Sequence, residues 1–312
     1  MAIDLMQSNS EPNKKKINPI IIGVITAIVL SMTLCVVFMM KGLTDYNEMK
    51  HMQLVWTEIQ HIADSKPENP DDIISEVIDE NGNKIQVTPE NNNDDLYRQI
   101  NLTALSNVNP DVSGYIYIPG TKVNYPILKE PEAYTYYYLD HNINYEHDKY
   151  GSIFEISDKE RGLPELDNAV NVMFGHHMAS GAMFTGLYNY YYQDTRDEYI
   201  DNPIYVYRGD IRIEYRVAAL CIVKENDIVY DFDAYGRNSE NYRILLKHLE
   251  DVKVKDIKFN QPMPTESDNM LVLSTCYGEA GTQWRLIVIC GEYRKVTVPN
   301  GYNSLGDPSI TN

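Results

Sequence analysis

The sequence has few cysteines and few basic residues, and each shortage excludes a class of protein. Cysteine occurs 4 times in 312 residues, too rarely and too unevenly for a disulfide scaffold or a paired-cysteine zinc site. Lys and Arg number 27 against 45 Asp and Glu, which gives a formal net charge of -18. The chain therefore lacks the electrostatic signature of a nucleic-acid-binding protein.

The remaining composition is that of a globular protein. Hydrophobic residues make up 43% of the chain and charged residues 23%. That proportion of apolar side chains can fill a core, so a wholly disordered or collagen-like chain is excluded. No internal repeat is visible.

One long apolar run lies near the N-terminus. Residues 20–40 read IIIGVITAIVLSMTLCVVFMM, close to the ~20 residues that cross a bilayer as a helix. Lys14, Lys15 and Lys16 precede the run, and basic residues stay on the cytoplasmic side. The run is too long for the apolar part of a cleaved signal peptide, and no A-x-A site follows it. We therefore predict an uncleaved signal-anchor helix, with residues 1–19 in the cytoplasm and the rest exported.

After this span, the composition predicts a helical N-terminal part and then a β-rich domain. Apolar spacing predicts helices over 46–63 and 96–105. Between them lies an acidic, exposed insertion with a short hairpin at Asp79 to Gly82. The predicted boundaries are 41–104 for the helical part, 67–95 for the insertion, 105–298 for the β domain and 299–312 for a C-terminal tail.

The β domain shows short β-branched and aromatic runs bounded by Gly, Pro, Asn and Asp, which is typical of a sandwich or barrel. One strong helix interrupts them at 239–249, beginning at a Ser cap, and we expect it to pack on the outside of the sheet. The predicted strands are 115–118, 170–174, 204–207, 211–222, 270–274 and 285–290.

Cys276 follows the apolar strand LVLS and precedes a turn-like stretch. A thiol at a strand end is placed as a nucleophile would be. The alternative is a small buried side chain, which is our interpretation of Cys221 and Cys290 within their strands.

Two further residue types suit chemistry with a thiol. His176 follows Gly175 at the end of another strand, and an imidazole exchanges a proton near neutrality. His177 is adjacent, and periodicity does not choose between them. Arg285 opens the strand after Cys276 and is either a surface charge or a fixed donor to an oxyanion.

Together these residues resemble the signature of class B sortases. Leu273-Ser274-Thr275-Cys276 followed by Arg285 is similar to the strand that ends in the catalytic Cys and the next strand that carries the catalytic Arg. Phe174-Gly175-His176-His177-Met178 resembles that class's Tyr-Gly-His-Asn-Met motif. The resemblance covers roughly 96–298, with further matching motifs at 114–121, 125–126, 138–139 and 151–154.

The resemblance implies a mainly β fold: an eight-stranded sortase-type β-barrel with N-terminal helices and an extra helix between the sixth and seventh strands. It implies that Cys276, His176 and Arg285 are catalytic. Ser274 and Thr275 line the strand end beside the nucleophile and are candidate substrate contacts, with simple strand packing as the alternative. His177, which stands where the class usually has Asn, is a further candidate substrate contact. Gly278 departs from members with an acidic residue there, and we assign no triad to the nearby Glu279.

The implied activity is that of a cysteine transpeptidase on the outer face of the cell membrane of a Gram-positive bacterium. Such an enzyme cleaves a C-terminal sorting signal of a secreted protein, of NPxTx or PxTG-like sequence. It then passes the thioacyl group to an amine of a peptidoglycan precursor. Three alternatives remain: a pilin-polymerising class B sortase, a membrane-anchored cysteine peptidase that transfers the acyl group to water, and a binding module without catalytic activity.

No cofactor or metal is expected. The histidines have neither HExxH nor paired-Cys spacing, and the acidic insertion lacks an EF-hand pattern. The expected partners are secreted proteins with a sorting signal, a peptidoglycan precursor amine, and the bilayer through residues 20–40. Nucleic acid is not among them.

Overall fold

The computed structural model describes residues 18–67, 73–88, 93–130, 136–156, 169–231, 236–278 and 281–298. Almost all of the predicted cytoplasmic segment, the C-terminal tail 299–312 and Glu279 lie outside the described residues. Two compact units divide between Leu54 and Val55.

The first helix, α1, runs from Pro19 to Ala63 and includes both the apolar run and the predicted helix 46–63. Asn18 begins it by accepting a hydrogen bond from the Ile20 N–H at 3.0 Å. Pro19 suits the first turn, where its missing N–H is not needed. Among the described residues, α1 is the one helix long and apolar enough to cross a membrane, with a window of mean hydropathy 2.8 that is 0% buried.

Eight strands form a closed barrel, which confirms the predicted fold. Around the barrel the order is β10-β8-β7-β3-β4-β5-β6-β9, and pairing of β9 with β10 closes it. The β4–β5 and β6–β9 pairs are parallel and the others antiparallel. The strands are β3 (Val112–Tyr117), β4 (Asn124–Lys129), β5 (Ile153–Glu155), β6 (Val170–Phe174), β7 (Ile204–Arg208), β8 (Ile211–Lys224), β9 (Met270–Cys276) and β10 (Trp284–Thr297).

All six predicted strands overlap observed ones, but the sequence pattern misses β4 and β5. β4 contains Pro126, and a proline argues against a strand because it cannot donate to the ladder. β5 has 3 residues, too few for an alternation to show.

The acidic insertion is not wholly exposed. Its described part holds the predicted hairpin, formed by β1 (Glu76–Asp79) and β2 (Lys84–Gln86). β1 also pairs with the end of β10, and Val77 is fully buried. The apolar residues of this acidic stretch therefore extend the sheet.

The predicted extra helix is present between β8 and β9, the sixth and seventh barrel strands. This helix, α4, runs from Glu240 to Val252, and Ser239 caps it by accepting from the Tyr242 N–H at 3.2 Å. Its buried face packs with residues of β8, β9 and β10 in one apolar cluster.

The predicted helix 96–105 is wrong in its extent. The chain instead forms a 3-10 turn at Asp95–Tyr97 and a separate helix α2 at Leu102–Val108. Asn101 causes the division, because its side chain accepts from the Ala104 N–H at 3.0 Å and starts a new helix there. A further short helix, α3, spans Gln193–Tyr199.

A buried ion pair joins β5 to β7. Both nitrogens at the end of the Arg208 guanidinium bond to the Glu155 carboxylate, at 2.7 and 2.5 Å, and the Ser113 hydroxyl donates to it at 2.6 Å. Burial raises the pKa of Glu155, but Arg208 and these hydrogen bonds outweigh burial and hold the pKa below its ordinary value. The carboxylate therefore stays charged at neutral pH.

Arg208→Met should lower the free energy of unfolding by about 3–5 kcal/mol, because it leaves the Glu155 charge buried without its partner. The pair's contribution should be complete above pH 4.5, the ordinary pKa of Glu, and should be lost as the pH falls through the lower folded-state pKa. Urea unfolding followed by circular dichroism measures both effects. Lys84→Met, which removes an exposed partner of Glu76, is the control and should cost under about 1 kcal/mol. Equal costs for the two variants would contradict this account.

Candidate active site

The site centres on the end of β9, which lies between β6 and β10. Cys276 is the last residue of β9, and Arg285 is its direct partner on antiparallel β10. Side chains directly opposite each other lie on one face of the sheet, with Cβ atoms about 4.5–5.5 Å apart. The barrel thus places both residues at the same end of two neighbouring strands, with their side chains on one face.

The parallel neighbour β6 brings His176 to the same place. Phe174 pairs with Ser274, and the Gly175 N–H donates to the Ser274 carbonyl at 3.1 Å, which continues the ladder past the strand end. One residue further, His176 comes level with Cys276. Gly175 is required on this path, because a Cβ there would lie 2.8 Å from the Phe184 ring.

A loop carbonyl determines the tautomer of His176. Its Nε2 lies 2.7 Å from the Leu139 carbonyl oxygen. A carbonyl only accepts, so Nε2 carries the hydrogen. Nδ1 is therefore the nitrogen that takes up or releases a proton.

His177 has a different environment from His176. Its ring stacks on Tyr188 with centroids 4.1 Å apart, and partial burial lowers its pKa from the ordinary 6.5. His177 is therefore neutral at pH 7. Sequence periodicity could not separate the two histidines, whereas the β6–β9 register and the burial of His177 do.

Tyr188 is a site residue that sequence reasoning missed. Its hydroxyl donates to the Cys276 carbonyl at 2.9 Å, and burial raises its pKa to about 12, so it remains a donor at neutral pH. It lies in a 3-10 helix, Phe184–Tyr190, that follows the histidine loop. Tyr188 therefore joins this loop region to the end of β9. No sequence signal distinguishes it within its tyrosine-rich run.

Arg285 is held by three hydrogen bonds to its terminal nitrogens. Nη1 donates to the carbonyls of Thr282 and Trp284, at 2.7 and 3.0 Å. Nη2 donates to the Glu225 carboxylate at 2.8 Å. Sequence reasoning did not identify Glu225, which follows the end of β8 and is distant from Arg285 in sequence.

A cleft of about 370 Å³ opens beside Arg285 and Glu225, which both line it. Its walls are mainly aromatic and apolar, with an acid and a base among them. The Leu139 backbone connects it to His176. The described residues that line the cleft are Tyr136, Leu139, Phe174, Glu225, Tyr230 and Arg285.

Ser274 and Thr275 are each only 2% exposed. The Ser274 hydroxyl hydrogen-bonds to that of Tyr230 at 2.8 Å, so Ser274 lies directly behind a cleft residue. Thr275 alternates to the other face of β9, and its hydroxyl has no hydrogen-bond partner among the described residues. Substrate contacts by these two residues stay a prediction.

All four cysteines are free, and the three in the barrel differ in how deeply they are buried. Cys276 is half-buried, whereas Cys221 and Cys290 are buried, as predicted. Burial raises the pKa of Cys221 to about 12 and that of Cys290 further above its ordinary value. Both stay protonated at neutral pH and are poor nucleophiles.

In the folded protein at pH 8, iodoacetamide should therefore modify Cys276 at least about 100-fold faster than Cys221 or Cys290, because only accessible thiolate reacts. Mass spectrometry of peptides from the alkylated chain measures each site separately. In guanidinium chloride the three rates should converge, which serves as the control. Comparable rates in the folded protein would contradict the assignment of Cys276 as the accessible thiol.

Comparison with known proteins identifies the family of this chain. A family model described as the Sortase domain matches residues 116–292. Sortase B of Staphylococcus aureus (strain NCTC 8325 / PS 47) is 28% identical over 198 residues, which cover 62% of this chain and 75% of that protein.

Solved structures show the same relationship. Clostridium perfringens sortase B aligns with a TM-score of 0.51 and 25% identity, over 61% of this chain and 97% of that one. A Staphylococcus aureus sortase B–substrate complex aligns with a TM-score of 0.50 and 25% identity, over 61% and 83%. With a closed eight-stranded barrel and a matching family model over more than half of its length, this chain belongs to the sortase family and is a cysteine transpeptidase of the sortase B type.

Proposed function

We propose that this protein is a membrane-anchored sortase that attaches secreted proteins to the cell wall. It cleaves a C-terminal sorting signal of NPxTx or PxTG-like sequence and transfers the acyl group to an amine of a peptidoglycan precursor. The observation that supports the proposal is the register around β9. Cys276 is the direct partner of Arg285, which lines the cleft, and the neighbouring strand β6 leads to His176.

In the first half-reaction, the Cys276 thiolate attacks the carbonyl carbon of the scissile peptide bond. Arg285 donates hydrogen bonds to the oxyanion that forms, which lowers the barrier because the charge develops where a donor already lies. Protonated His176 gives its Nδ1 proton to the leaving amine. The products are a thioacyl enzyme and the released C-terminal fragment.

In the second half-reaction, the amine of the acceptor attacks the thioester. His176, now neutral, accepts a proton at Nδ1 from the attacking nitrogen, and Arg285 again stabilises the oxyanion. Collapse of the intermediate forms the new amide bond and restores the thiolate and the protonated imidazole. The same three residues thus act in both half-reactions of acyl transfer.

The cleft supports a peptide substrate. Its aromatic walls provide apolar surface for an extended segment, while Arg285 provides a polar contact at the reacting end. The Staphylococcus aureus relative forms a substrate complex, which supports binding of a sorting signal here.

The N-terminal helix supports a membrane location. We assign residues 20–40 as a single-pass type II anchor, with the basic residues before it in the cytoplasm and residues 105–298 as the extracellular catalytic domain. Tethering enzyme and substrates to one membrane face raises their effective concentration.

Full-length protein in detergent should join an NPxTx or PxTG-like peptide, cleaved after Thr, to an added glycine or diaminopimelate-type amine. Cys276→Ala should abolish the ligation, and Arg285→Ala should slow acylation by about 10²- to 10³-fold through loss of an oxyanion donor. Mass spectrometry detects the thioacyl enzyme and the ligated peptide.

Cys290→Ala is the matched control for this assay, since it removes a buried thiol and should affect stability more than turnover. If the rate of peptide cleavage and its products were the same with and without the added amine, the result would favour a peptidase. Turnover by Cys276→Ala would exclude the mechanism.

His176→Ala should reduce turnover by about 10²- to 10⁴-fold, as expected for loss of a general acid and base. His177→Ala should reduce it much less, because the lowered pKa of His177 leaves little imidazolium to act as an acid at pH 7. The two variants are matched in size and differ by one position. Initial rates across pH 5–9 measure the difference, and a larger loss in His177→Ala would move the general acid by one residue.

A further inference from the structure

Glu225 has no role in the proposed mechanism, yet its carboxylate accepts a hydrogen bond from Arg285, the cation in that mechanism. Of the six described residues that line the cleft, it alone is acidic. Its backbone N–H donates to the Gln283 carbonyl at 2.9 Å. Glu225 is therefore fastened to the segment that leads into β10, where Arg285 lies.

Glu225 completes a set of acceptors around one edge of the Arg285 guanidinium. Two backbone carbonyls hold Nη1, and the Glu225 carboxylate holds Nη2 at 2.8 Å. Among the described residues, these contacts leave Nε–H and one hydrogen of Nη2 without a protein acceptor. Those donors are the ones available to a substrate oxyanion.

The exposure of this pair argues against a role in folding. The Arg285 side chain is 23% exposed and that of Glu225 48% exposed, and ion pairs in such positions add little to stability. An arginine side chain has several rotatable bonds, so an oxyanion donor gains from being fixed before the substrate arrives. The carbonyls restrain only Nη1, and Glu225 removes the remaining rotation.

We propose that Glu225 is a positioning residue that orients the Arg285 guanidinium toward the scissile carbonyl. This rests on the proposed function, in which Arg285 is the oxyanion donor. Glu225 exchanges no proton and forms no covalent bond in the cycle. It acts through Arg285, so its effect must depend on that arginine and must fall on the chemical step.

The first test compares Glu225→Ala with a matched control in the full-length protein, using the peptide and amine of the ligation assay. Glu225→Ala should lower kcat about 10- to 100-fold and leave KM within about twofold, because orientation matters in the transition state. Glu266→Ala is the control: Glu266 pairs with Arg243, is 46% exposed and is not among the described residues that line the cleft. Its kcat should stay within about twofold of wild type.

Two results of this test overturn the proposal. A rise in KM at constant kcat would make Glu225 a direct substrate contact instead. An unchanged or higher kcat would mean that the carboxylate does not assist Arg285 or competes with the substrate for it.

The second test asks whether the effect passes through Arg285. In an Arg285→Ala background, adding Glu225→Ala should change single-turnover acylation by less than about twofold, because the group being positioned is gone. Independent, multiplying effects of the two substitutions would overturn the proposal.

A third readout needs no peptide substrate and separates failure of this inference from failure of the proposed function. Glu225→Gln keeps an oxygen acceptor for the guanidinium but removes the compensating negative charge. Glu225→Ala removes both. At pH 7, alkylation of Cys276 should therefore be faster in Glu225→Gln than in Glu225→Ala, because only Gln still holds the guanidinium, and a cation near the thiol favours the thiolate. In the Arg285→Ala background the two substitutions should give equal rates. Equal rates with Arg285 present would overturn the positioning role, whether or not the wild type ligates a peptide.

Discussion

The position of β9 between β6 and β10 is the constraint on which the rest of the site depends. A closed barrel leaves each strand two fixed neighbours, and here one is parallel and the other antiparallel. The parallel neighbour, β6, leads to His176 at the same end of the barrel where β9 ends in Cys276. The antiparallel neighbour, β10, begins at that end, and Arg285 is its second residue. A slip of one residue in either ladder would turn one partner to the other face. Barrel closure therefore determines the arrangement on which the proposed chemistry depends.

Around this framework, hydrogen bonds from neighbouring segments hold the proposed catalytic residues. The Leu139 carbonyl orients His176, and the Tyr188 hydroxyl holds the Cys276 carbonyl. Two more carbonyls and Glu225 hold Arg285. Such contacts place donors and acceptors before the substrate arrives, which is the condition for electrostatic stabilisation of a transition state. Burial then limits which groups react, since Cys221 and Cys290 stay protonated while Cys276 remains accessible.

Much of the fold could be predicted from local sequence, and the failures have local causes. Strands with several β-branched residues were found because their side chains repeat every second residue. β4 was missed because Pro126 lies inside it, although its neighbours supply the pairing. The helix predicted over 96–105 was divided by the Asn101 cap, which competes with helix continuation. Pairing with other strands decided the first outcome, and a local side-chain cap decided the second.

The sequence by itself determined the strand-forming segments, the long apolar helix and the motifs that carry the cysteine, the histidines and the arginine. These depend on side-chain type and short-range spacing, which a chain carries before it folds. Only the tertiary structure decided which histidine lies level with Cys276, that its Nε2 is hydrogen-bonded to the Leu139 carbonyl, and that Tyr188 and Glu225 contact Cys276 and Arg285. Those properties depend on register, burial and hydrogen bonds between segments far apart in the chain, such as the 60 residues that separate Glu225 from Arg285. Distances of that kind exist only once the barrel is closed.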